Sequence, residues 1–303
     1  MGRLDGAAAE TRSIPADRTR AELDALAKLL RAEGITVHRP EPARHDRLFQ
    51  TVDWKERGFS SACPRDAVIV VGDELIETPL AWRARYFETD ALRPLFLSYF
   101  RAGARWSSAP RPDLKDELYE EAHGEWLDDA RPPMFAGESE PVLCAADVLR
   151  CGRDLFTMRT AGTNLAGIEW LRRHLRATHE VHEIKPRLPV GGMLDTIFLP
   201  LAPGEFLVRD AAIDPTQLPE TVRAGTIRIA PKTSVQNANL AMNVLQLDPK
   251  RVLVEESQTD MTRALTSWGY DVRPVPLDGY AVLGGSLRRA TLDIRRRSER
   301  PTS

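Results

Sequence analysis

The sequence predicts an α/β fold built from a recurring unit of two antiparallel strands, one helix and one further strand. First, apolar runs joined by short turns that contain Gly or Pro recur along the chain, as at residues 67–77. Second, segments with helical spacing of their apolar residues follow several of these hairpins, as at residues 168–175. Third, the units recur at intervals of about 45–80 residues, which is typical of pseudo-symmetric folds. Since one unit cannot bury both its sheet and its helix, the units are predicted to pack around a common centre.

Length and composition favour a single domain. The chain has 303 residues, of which 42% are hydrophobic, and a formal net charge of −2, so we expect a sizeable core and neither a nucleic-acid nor a membrane partner. We expect a disordered segment at residues 1–17, one domain over residues 18–297 and a tail at residues 298–303. No apolar stretch approaches about 20 residues and none opens the chain, which predicts neither a membrane span nor a signal peptide. The three cysteines lack metal-ligand spacing and predict reduced thiols in a cytoplasmic protein, with no metal and no cofactor.

The first elements follow from spacing and from helix and turn signals. Residues 20–30 place apolar side chains three and four apart, which predicts an amphipathic helix. Gly34 closes this helix, and residues 35–37 begin a strand. The first hairpin spans residues 67–77, with its turn at Gly72.

The later elements repeat this order. Pro79 opens a helix that extends to about Arg101, and the charged, proline-containing stretch 113–140 is predicted to be an insertion loop. The remaining predicted elements are a hairpin at 148–158, a helix through 168–175, a strand at 181–184, a hairpin at 196–208, a hairpin at 243–254, a helix at 261–268, a strand at 270–274 and a last strand at 290–294.

Several stretches resemble the L-arginine:glycine and inosamine-phosphate amidinotransferases of the guanidino-group-modifying superfamily. They are residues 64–66, 71–83, 145–147, 152–154, 163–164, 167–175, 242–245, 284–285 and 290–296. The resemblance runs from about residue 20 to residue 297 and implies a pentein-like propeller of five α/β units around a central channel. Family members usually carry a strand-bearing stretch before the first helix. Either the start of the chain is misassigned or the first strand is absent here, and an absent strand would leave a sheet edge to be covered.

The resemblance also implies a covalent chemistry whose residues are replaced in this chain. In the family, a cysteine attacks the guanidinium carbon of arginine, a histidine transfers protons and carboxylates hold the guanidinium group. By the match of motifs, Arg289 stands at the cysteine, Arg288 at the histidine before it, Met193 at the proton-transferring histidine and Cys144 at one guanidinium-binding aspartate. Two carboxylates of the family are retained, as Asp66 and Asp195. A polar Ser-Ser pair of the family is replaced by Gln236 and Asn237.

These replacements are incompatible with the family's reaction. An arginine stays protonated and cannot act as a nucleophile, and a thioether such as that of Met193 cannot transfer protons. A guanidinium at Arg289 would also repel a bound arginine by about 4 kcal/mol at ~4 Å and an effective dielectric of 20. We therefore do not expect arginine amidino transfer.

The arginine pair suggests a different use of the channel. In a strand, only one of Arg288 and Arg289 would face inward, and the resemblance makes this residue Arg289. Arg289 either pairs with Asp66 or Asp195 in an abandoned pocket, or binds a substrate carboxylate or phosphate. We take Arg289, Arg288, Met193, Gln236 and Asn237 as candidate substrate contacts.

Three residues are candidates for catalysis. Cys144 is either a small buried apolar residue or a relocated nucleophile with a pKa lowered by Arg289. Asp66 and Asp195 are candidate acids or bases.

Three hypotheses on function follow. The leading one is a repurposed enzyme of bacterial specialised metabolism that acts on an anionic small molecule. The second is a non-catalytic subunit that pairs with a biosynthetic enzyme, and the third is an amidinotransferase with a rewired site. A homodimer is also compatible with the resemblance.

Overall fold

The computed structural model describes residues 16–40, 42, 44–58, 61–119, 137–187, 192–232, 240–281 and 283–296. The helices are α1 Ala16–Ala32, α2 Pro64–Ala67, α3 Arg93–Arg101, α4 Leu165–Leu175, α5 Glu220–Arg223, α6 Thr259–Ser267 and α7 Asp278–Ala281. The strands are β1 Leu48–Gln50, β2 Lys55–Arg57, β3 Val68–Val71, β4 Glu74–Glu77, β5 Arg105–Ser108, β6 Val148–Cys151, β7 Asp154–Thr157, β8 Glu180–Glu183, β9 Phe198–Ala202, β10 Glu205–Val208, β11 Thr226–Ile229, β12 Leu245–Gln246, β13 Arg251–Glu255 and β14 Asp271–Val275.

Within the described residues, four three-stranded sheets repeat one topology, and the predicted α/β class is confirmed. Their strand orders are β3-β4-β5, β6-β7-β8, β9-β10-β11 (listed from the other edge) and β12-β13-β14. In each, the middle strand pairs antiparallel with its hairpin partner and parallel with a strand that returns after a helical connection. Gly72 and Gly152 turn two of the hairpins with φ of 60° and 63°, a conformation that favours glycine. A fifth, two-stranded sheet is formed by β1 and β2.

The buried core lies between these units. Aromatic side chains from two neighbouring units pack edge-to-face, with the rings of Phe156 and Phe198 centred 5.1 Å apart. Helix α4 places Ile168, Leu171 and Leu175 in a second cluster against its own sheet, as the three-and-four spacing of these residues predicts. Within the described residues, no helix combines the length and apolar character needed to cross a bilayer.

Several predicted boundaries differ from the structure. Helix α1 begins at Ala16, inside the stretch predicted to be disordered, and residues 1–15 lie outside the described residues. The helix predicted from Pro79 starts at Arg93, after two 3-10 turns. The reason is that the carbonyl oxygen of Pro79 accepts a hydrogen bond from the amide of Leu143, 3.0 Å away, instead of starting a helical ladder.

Two predicted strands pair with no neighbour among the described residues. Residues 35–37 and 290–294 are irregular, and residues 287–290 form turns. Hydrogen bonds from the amide of Ala290 to the carbonyl oxygen of Ser286 and from that of Thr291 to Arg288 bend the chain at this point. Of the predicted insertion loop, residues 113–119 and 137–140 are described and contain no strand, and residues 120–136 lie outside the described part.

Candidate functional site

A short turn before the first strand of each repeated hairpin carries a buried Asp or Asn. These residues are Asp66 at the end of α2, Asp147 and Asp195 in 3-10 turns, and Asn243 just before β12. Their relative exposures are 0, 0, 2 and 4%. Because equivalent turns of successive units pack against one another, the repeat itself gathers these polar groups at the common centre.

Hydrogen bonds connect these residues from one unit to the next. A carboxylate oxygen of Asp147 accepts from the amide of Leu194 at 3.0 Å, and the side-chain amide of Asn243 donates to Asp195 at 3.0 Å. The side-chain oxygen of Asn243 then accepts from the backbone amide of Arg289 at 3.1 Å. The polar centre therefore links the second, third and fourth units to the C-terminal segment.

Arg289 connects the C-terminal segment to the first unit. Its Nε lies 3.0 and 2.9 Å from the two carboxylate oxygens of Asp66, and its Nη2 donates to the same carboxylate. Its Nη1 donates to the carbonyl oxygen of Gly284. Burial works against the charged form, but Asp66 outweighs it and holds the pKa of Arg289 well above its usual value. The guanidinium group is therefore engaged within the protein.

Asp66 is shared with a second buried arginine. Nη1 of Arg85 lies 2.8 Å from Asp66, and the same guanidinium makes two hydrogen bonds to Glu88. Arg289, Asp66, Arg85 and Glu88 form what we call the central quartet, whose formal charges cancel. Burial raises the pKa of Glu88, with Arg85 acting in the opposite direction.

The two glycines before this segment make room for Arg289. Gly284 has a φ of +78°, which a side chain would strain. A Cβ on Gly285 would lie 2.4 Å from Cδ and 2.8 Å from Cβ of Arg289. The aliphatic part of Arg289 thus lies directly over Gly285, which explains why the Gly-Gly pair is compatible with an arginine here.

Arg65 anchors the same segment from the other side. Its Nε donates to the carbonyl oxygens of Arg288 and Thr291 at 2.8 and 2.9 Å, and its Nη2 lies 3.2 Å from Asp293. Although burial opposes the carboxylate, Arg65 and Arg296 lower the pKa of Asp293. Neighbouring residues of α2, Arg65 and Asp66, therefore both bind the C-terminal segment.

Arg288 also points to the centre, in contrast to the prediction that only one of the adjacent arginines would do so. Its Nε lies 3.7 Å from Asp195, which is an ion pair without a hydrogen bond. The difference arises because residues 287–290 form turns, so side chains do not alternate as in a strand. Burial and the neighbouring Arg65 lower the pKa of Arg288 to about 9, so it remains a cation at neutral pH.

Cys144 lies in an apolar environment with a thiol that is hard to ionise. It packs with Ala67, Ala146 and Met193, whose thioether sulfur is 3.9 Å from its Sγ. Burial, together with the nearby carboxylates Asp66 and Asp147, raises the pKa of Cys144 well above its usual value. This environment favours a packing role over a nucleophile, and the two roles of Cys144 remain predictions.

Four residues of the site were not singled out as candidates from the sequence. They are Asp147, Asn243, Arg85 and Glu88. Asp147 accepts hydrogen bonds from the hydroxyls of Thr160 and Thr163, both at 2.6 Å. Despite these bonds, burial raises the pKa of Asp147 to about 7. A usable signal was present, since Asp147 and Asn243 stand just before hairpins, as Asp66 and Asp195 do.

The other predicted contacts have different outcomes. Asp66, Asp195 and Met193 lie at the centre, whereas Gln236 and Asn237 lie outside the described residues.

One group in the described part of the chain has the spacing of metal ligands. Ligand atoms of Asp154, Glu180 and His182 lie within 4.8 Å of one another, and Nε2 of His182 is 2.7 Å from Asp154. The group sits at the start of β7 and on β8, at the opposite end of the hairpin from Asp147. It is separate from the central polar residues.

The repeated α/β units and the central position of the polar site agree with the resemblance to amidinotransferases. No model of a protein family matches the sequence. The chain is 36% identical to the L-arginine:L-lysine amidinotransferase of Pseudomonas savastanoi pv. phaseolicola over 93% of its own length and 80% of that protein. It is 38% identical to the mitochondrial glycine amidinotransferase of Danio rerio over 91% of this chain and 69% of that protein.

Solved structures agree with these relatives. An amidinotransferase of the saxitoxin biosynthetic pathway from Microseira wollei superimposes with a TM-score of 0.87 and 38% identity, covering 95% of this chain and 85% of that one. The inosamine-phosphate amidinotransferase of Streptomyces griseus gives 0.84 and 35%, with 93 and 81% covered. A dimethylarginine dimethylaminohydrolase, at 15% identity and a TM-score of 0.63, shows the shared fold alone. The chain belongs to the amidinotransferase family.

Proposed function

We propose that this chain is a non-catalytic member of the amidinotransferase family, a subunit that pairs with a biosynthetic enzyme in the cytoplasm. The observation that carries the proposal is the bidentate contact of Arg289 with Asp66. By the resemblance, Asp66 contacts the substrate and Arg289 stands at the nucleophile. One side chain therefore removes the nucleophile and places a guanidinium group against the carboxylate that would receive arginine.

The rest of the centre supports this proposal. The guanidinium group of a substrate would be repelled by the like charges of Arg289 and Arg85. The carboxylates of the central quartet could not bind it, because Asp66 and Glu88 are already paired with these arginines. The thiol of Cys144 is held protonated, and no histidine is among its described contacts. Attack on a guanidinium carbon requires both a thiolate and a proton donor.

The architecture suggests what the centre does instead. In the five-unit propeller that the resemblance implies, residues 283–296 and α1 would belong to the fifth unit. Arg289 would then join the fifth unit to the first, as Asn243 joins the fourth to the fifth. Residues that perform chemistry in relatives would here stabilise a closed ring, leaving the outer surface for a partner.

The leading hypothesis from the sequence, a repurposed enzyme with an anionic substrate, stands as the second candidate. One observation favours it, although not at the residue first expected. Arg289 is occupied by Asp66, but the buried Nε of Arg288 has no hydrogen-bond partner among the described residues.

The first experiment tests for amidino transfer. The purified chain and its Cys144→Ala variant are incubated with L-arginine and either L-lysine or glycine, and ornithine is measured by mass spectrometry. The L-arginine:L-lysine amidinotransferase of Pseudomonas serves as the positive control. We expect no ornithine above the blank from either form. Ornithine formed by the wild-type chain would contradict the proposal and revive the rewired amidinotransferase.

The second experiment tests the pairing. The chain is mixed with the catalytically complete amidinotransferase or other biosynthetic enzyme encoded beside it, and complex mass is measured by light scattering. We expect a mixed complex, together with a changed rate of the partner's own reaction. Self-association alone, with no effect on the partner, would contradict the pairing.

A further inference from the structure

One guanidinium group at the centre lacks the partners that its neighbours have. Arg65, Arg85 and Arg289 each donate several hydrogen bonds to carboxylate or carbonyl oxygens. The Nε of Arg288 is fully buried and has no hydrogen-bond partner among the described residues. Its nearest anion is Asp195, 3.7 Å away, beyond hydrogen-bonding distance.

Asp195 cannot fully compensate this cation. Its Oδ2, the oxygen nearest Arg288, already accepts a hydrogen bond from Asn243 at 3.0 Å. A buried donor that is charged and unpaired is costly, and most such groups in native proteins have a partner or bind one. The gap between Arg288 and Asp195 thus indicates that a component is missing.

The charge balance beside Arg288 points to the sign of that component. Arg65, Arg288 and Arg296 face Asp195 and Asp293, which leaves one positive charge in excess. The other groups are committed to each other, because Asp293 pairs with both Arg65 and Arg296. A single negative charge would complete the set.

A second unsatisfied group lies two residues away in the same turn. The hydroxyl of Ser286 is buried and has no hydrogen-bond partner within the described residues, while its backbone amide donates to Asn243. The backbone hydrogen bonds of this turn are made, yet the hydroxyl of Ser286 and the Nε of Arg288 find no hydrogen-bond partner in the described part of the chain. Two orphaned donors in one turn are the pattern expected of a site that is completed by a ligand.

We infer that Arg288 is the anion-binding residue of this protein and that it takes the carboxylate of a small molecule. A carboxylate matches the planar fork of a guanidinium and supplies the one missing negative charge. A phosphate fits less well, because Asp195 lies 3.7 Å from Arg288 and would repel a second negative charge. The side chain of Arg288 keeps 11% of its surface exposed, so it is not completely sealed from solvent. The inference holds whether or not the protein is catalytic.

The experiment measures stabilisation by carboxylates. The full chain is melted in increasing sodium acetate, propionate or succinate, against sodium chloride and sodium phosphate of equal ionic strength. Because a ligand that binds only the native state stabilises it by mass action, we expect the melting temperature to rise with carboxylate concentration and not with chloride. Phosphate is expected to give the smaller shift.

Variants assign the effect to the residue. Arg288→Met keeps the length of the side chain and removes its charge, so the apparent affinity for the carboxylate should fall at least tenfold. Arg288→Lys keeps the charge without the fork and should bind with intermediate affinity. Arg263→Met, on the exposed face of α6, is the matched control and should behave as wild type.

Several outcomes would overturn the inference. They are an equal response of wild type and Arg288→Met, a phosphate response at least as large as that of every carboxylate, or no carboxylate response in the wild type. If Arg288→Met does not fold by circular dichroism, the Arg288→Lys comparison decides, and an unchanged affinity in that variant counts against the bidentate site. Ornithine release, which tests the proposed function, does not enter this experiment.

Discussion

The pair of Arg289 and Asp66 is expected to contribute strongly to stability, and its removal can be divided into steps. Arg289→Met removes the guanidinium and retains most of the aliphatic stem that lies over Gly285. The change leaves Arg85 alone to balance Asp66 and Glu88, so the central quartet gains a net negative charge. Asp66→Asn does the reverse, and the double variant restores a net charge of zero.

The size of the expected loss in stability follows from the burial of Asp66 and from its sharing by Arg289 and Arg85. Removing one member of a buried ion pair typically destabilises a protein by about 3–5 kcal/mol. Asp66 is fully buried but keeps its contact with Arg85 in the Arg289→Met variant, which places the expected loss near the lower limit, at about 3 kcal/mol. We expect a similar loss for Asp66→Asn and about 4 kcal/mol for the double variant, which is a coupling energy of about 2 kcal/mol.

The assay is equilibrium unfolding in urea, followed by tryptophan fluorescence and by circular dichroism to test for a two-state transition. Arg263→Ala, in an exposed pair with Asp260, is the control and should leave the midpoint unchanged. If the summed stability losses of the two single variants equal the loss of the double variant to within about 0.5 kcal/mol, Arg289 and Asp66 are not coupled. Such a result would show that Arg289 does not close the polar centre.

Two further predictions concern the same centre. Burial raises the pKa of Asp147 from its usual 3.8 to about 7, so between these values the native state holds a proton that the unfolded chain releases. The stability that this group contributes should therefore fall as pH rises from about 4 to 7. The urea midpoint of the wild type should decrease over this range, and this decrease should be lost in Asp147→Asn. An equal decrease in both proteins would show that Asp147 does not titrate there. Arg289→Ala should leave Asp66 open to a free guanidinium ion, so millimolar guanidinium chloride should raise the melting temperature of this variant, whereas urea at equal concentration, or the wild-type chain, should show no rise.

Much of the fold could be predicted because periodicity is local. The hairpins at 67–77 and 148–158 and the helix through 168–175 follow from alternating or three-and-four spacing and from glycines at the turns, and the structure has them within a few residues. The apolar run after Pro79 failed as a helix because its backbone is drawn to Leu143, far along the chain. A hydrogen-bond partner so far away in the chain cannot be read from the spacing of nearby residues.

The sequence predicts which residues meet at the central site better than it predicts which of them form ion pairs. Motif matches brought Asp66, Asp195, Cys144 and Arg289 to one place, and the structure has all four near the centre. Whether Arg289 would bind Asp66 or an external anion depends on the turn at residues 287–290, which the strand expectation missed. Burial, with the carboxylates Asp66 and Asp147, likewise raises the pKa of Cys144, and the opposing effect of Arg85 does not outweigh it.

The charge of the centre gives the reason why the replacements belong together. A site for a guanidinium substrate needs an unpaired carboxylate, and a stable empty site must keep that carboxylate hydrated. In this chain, Arg289 fills the place of the substrate's charge against Asp66, and Arg85 with Glu88 completes a neutral quartet. With Asp66 paired to Arg289, the nearest described carboxylate to Arg288 is Asp195, which lies 3.7 Å away and accepts a hydrogen bond from Asn243. If this exchange closes the centre to arginine, it also leaves a buried cation at Arg288, and the proposed binding of a carboxylate there would balance that charge.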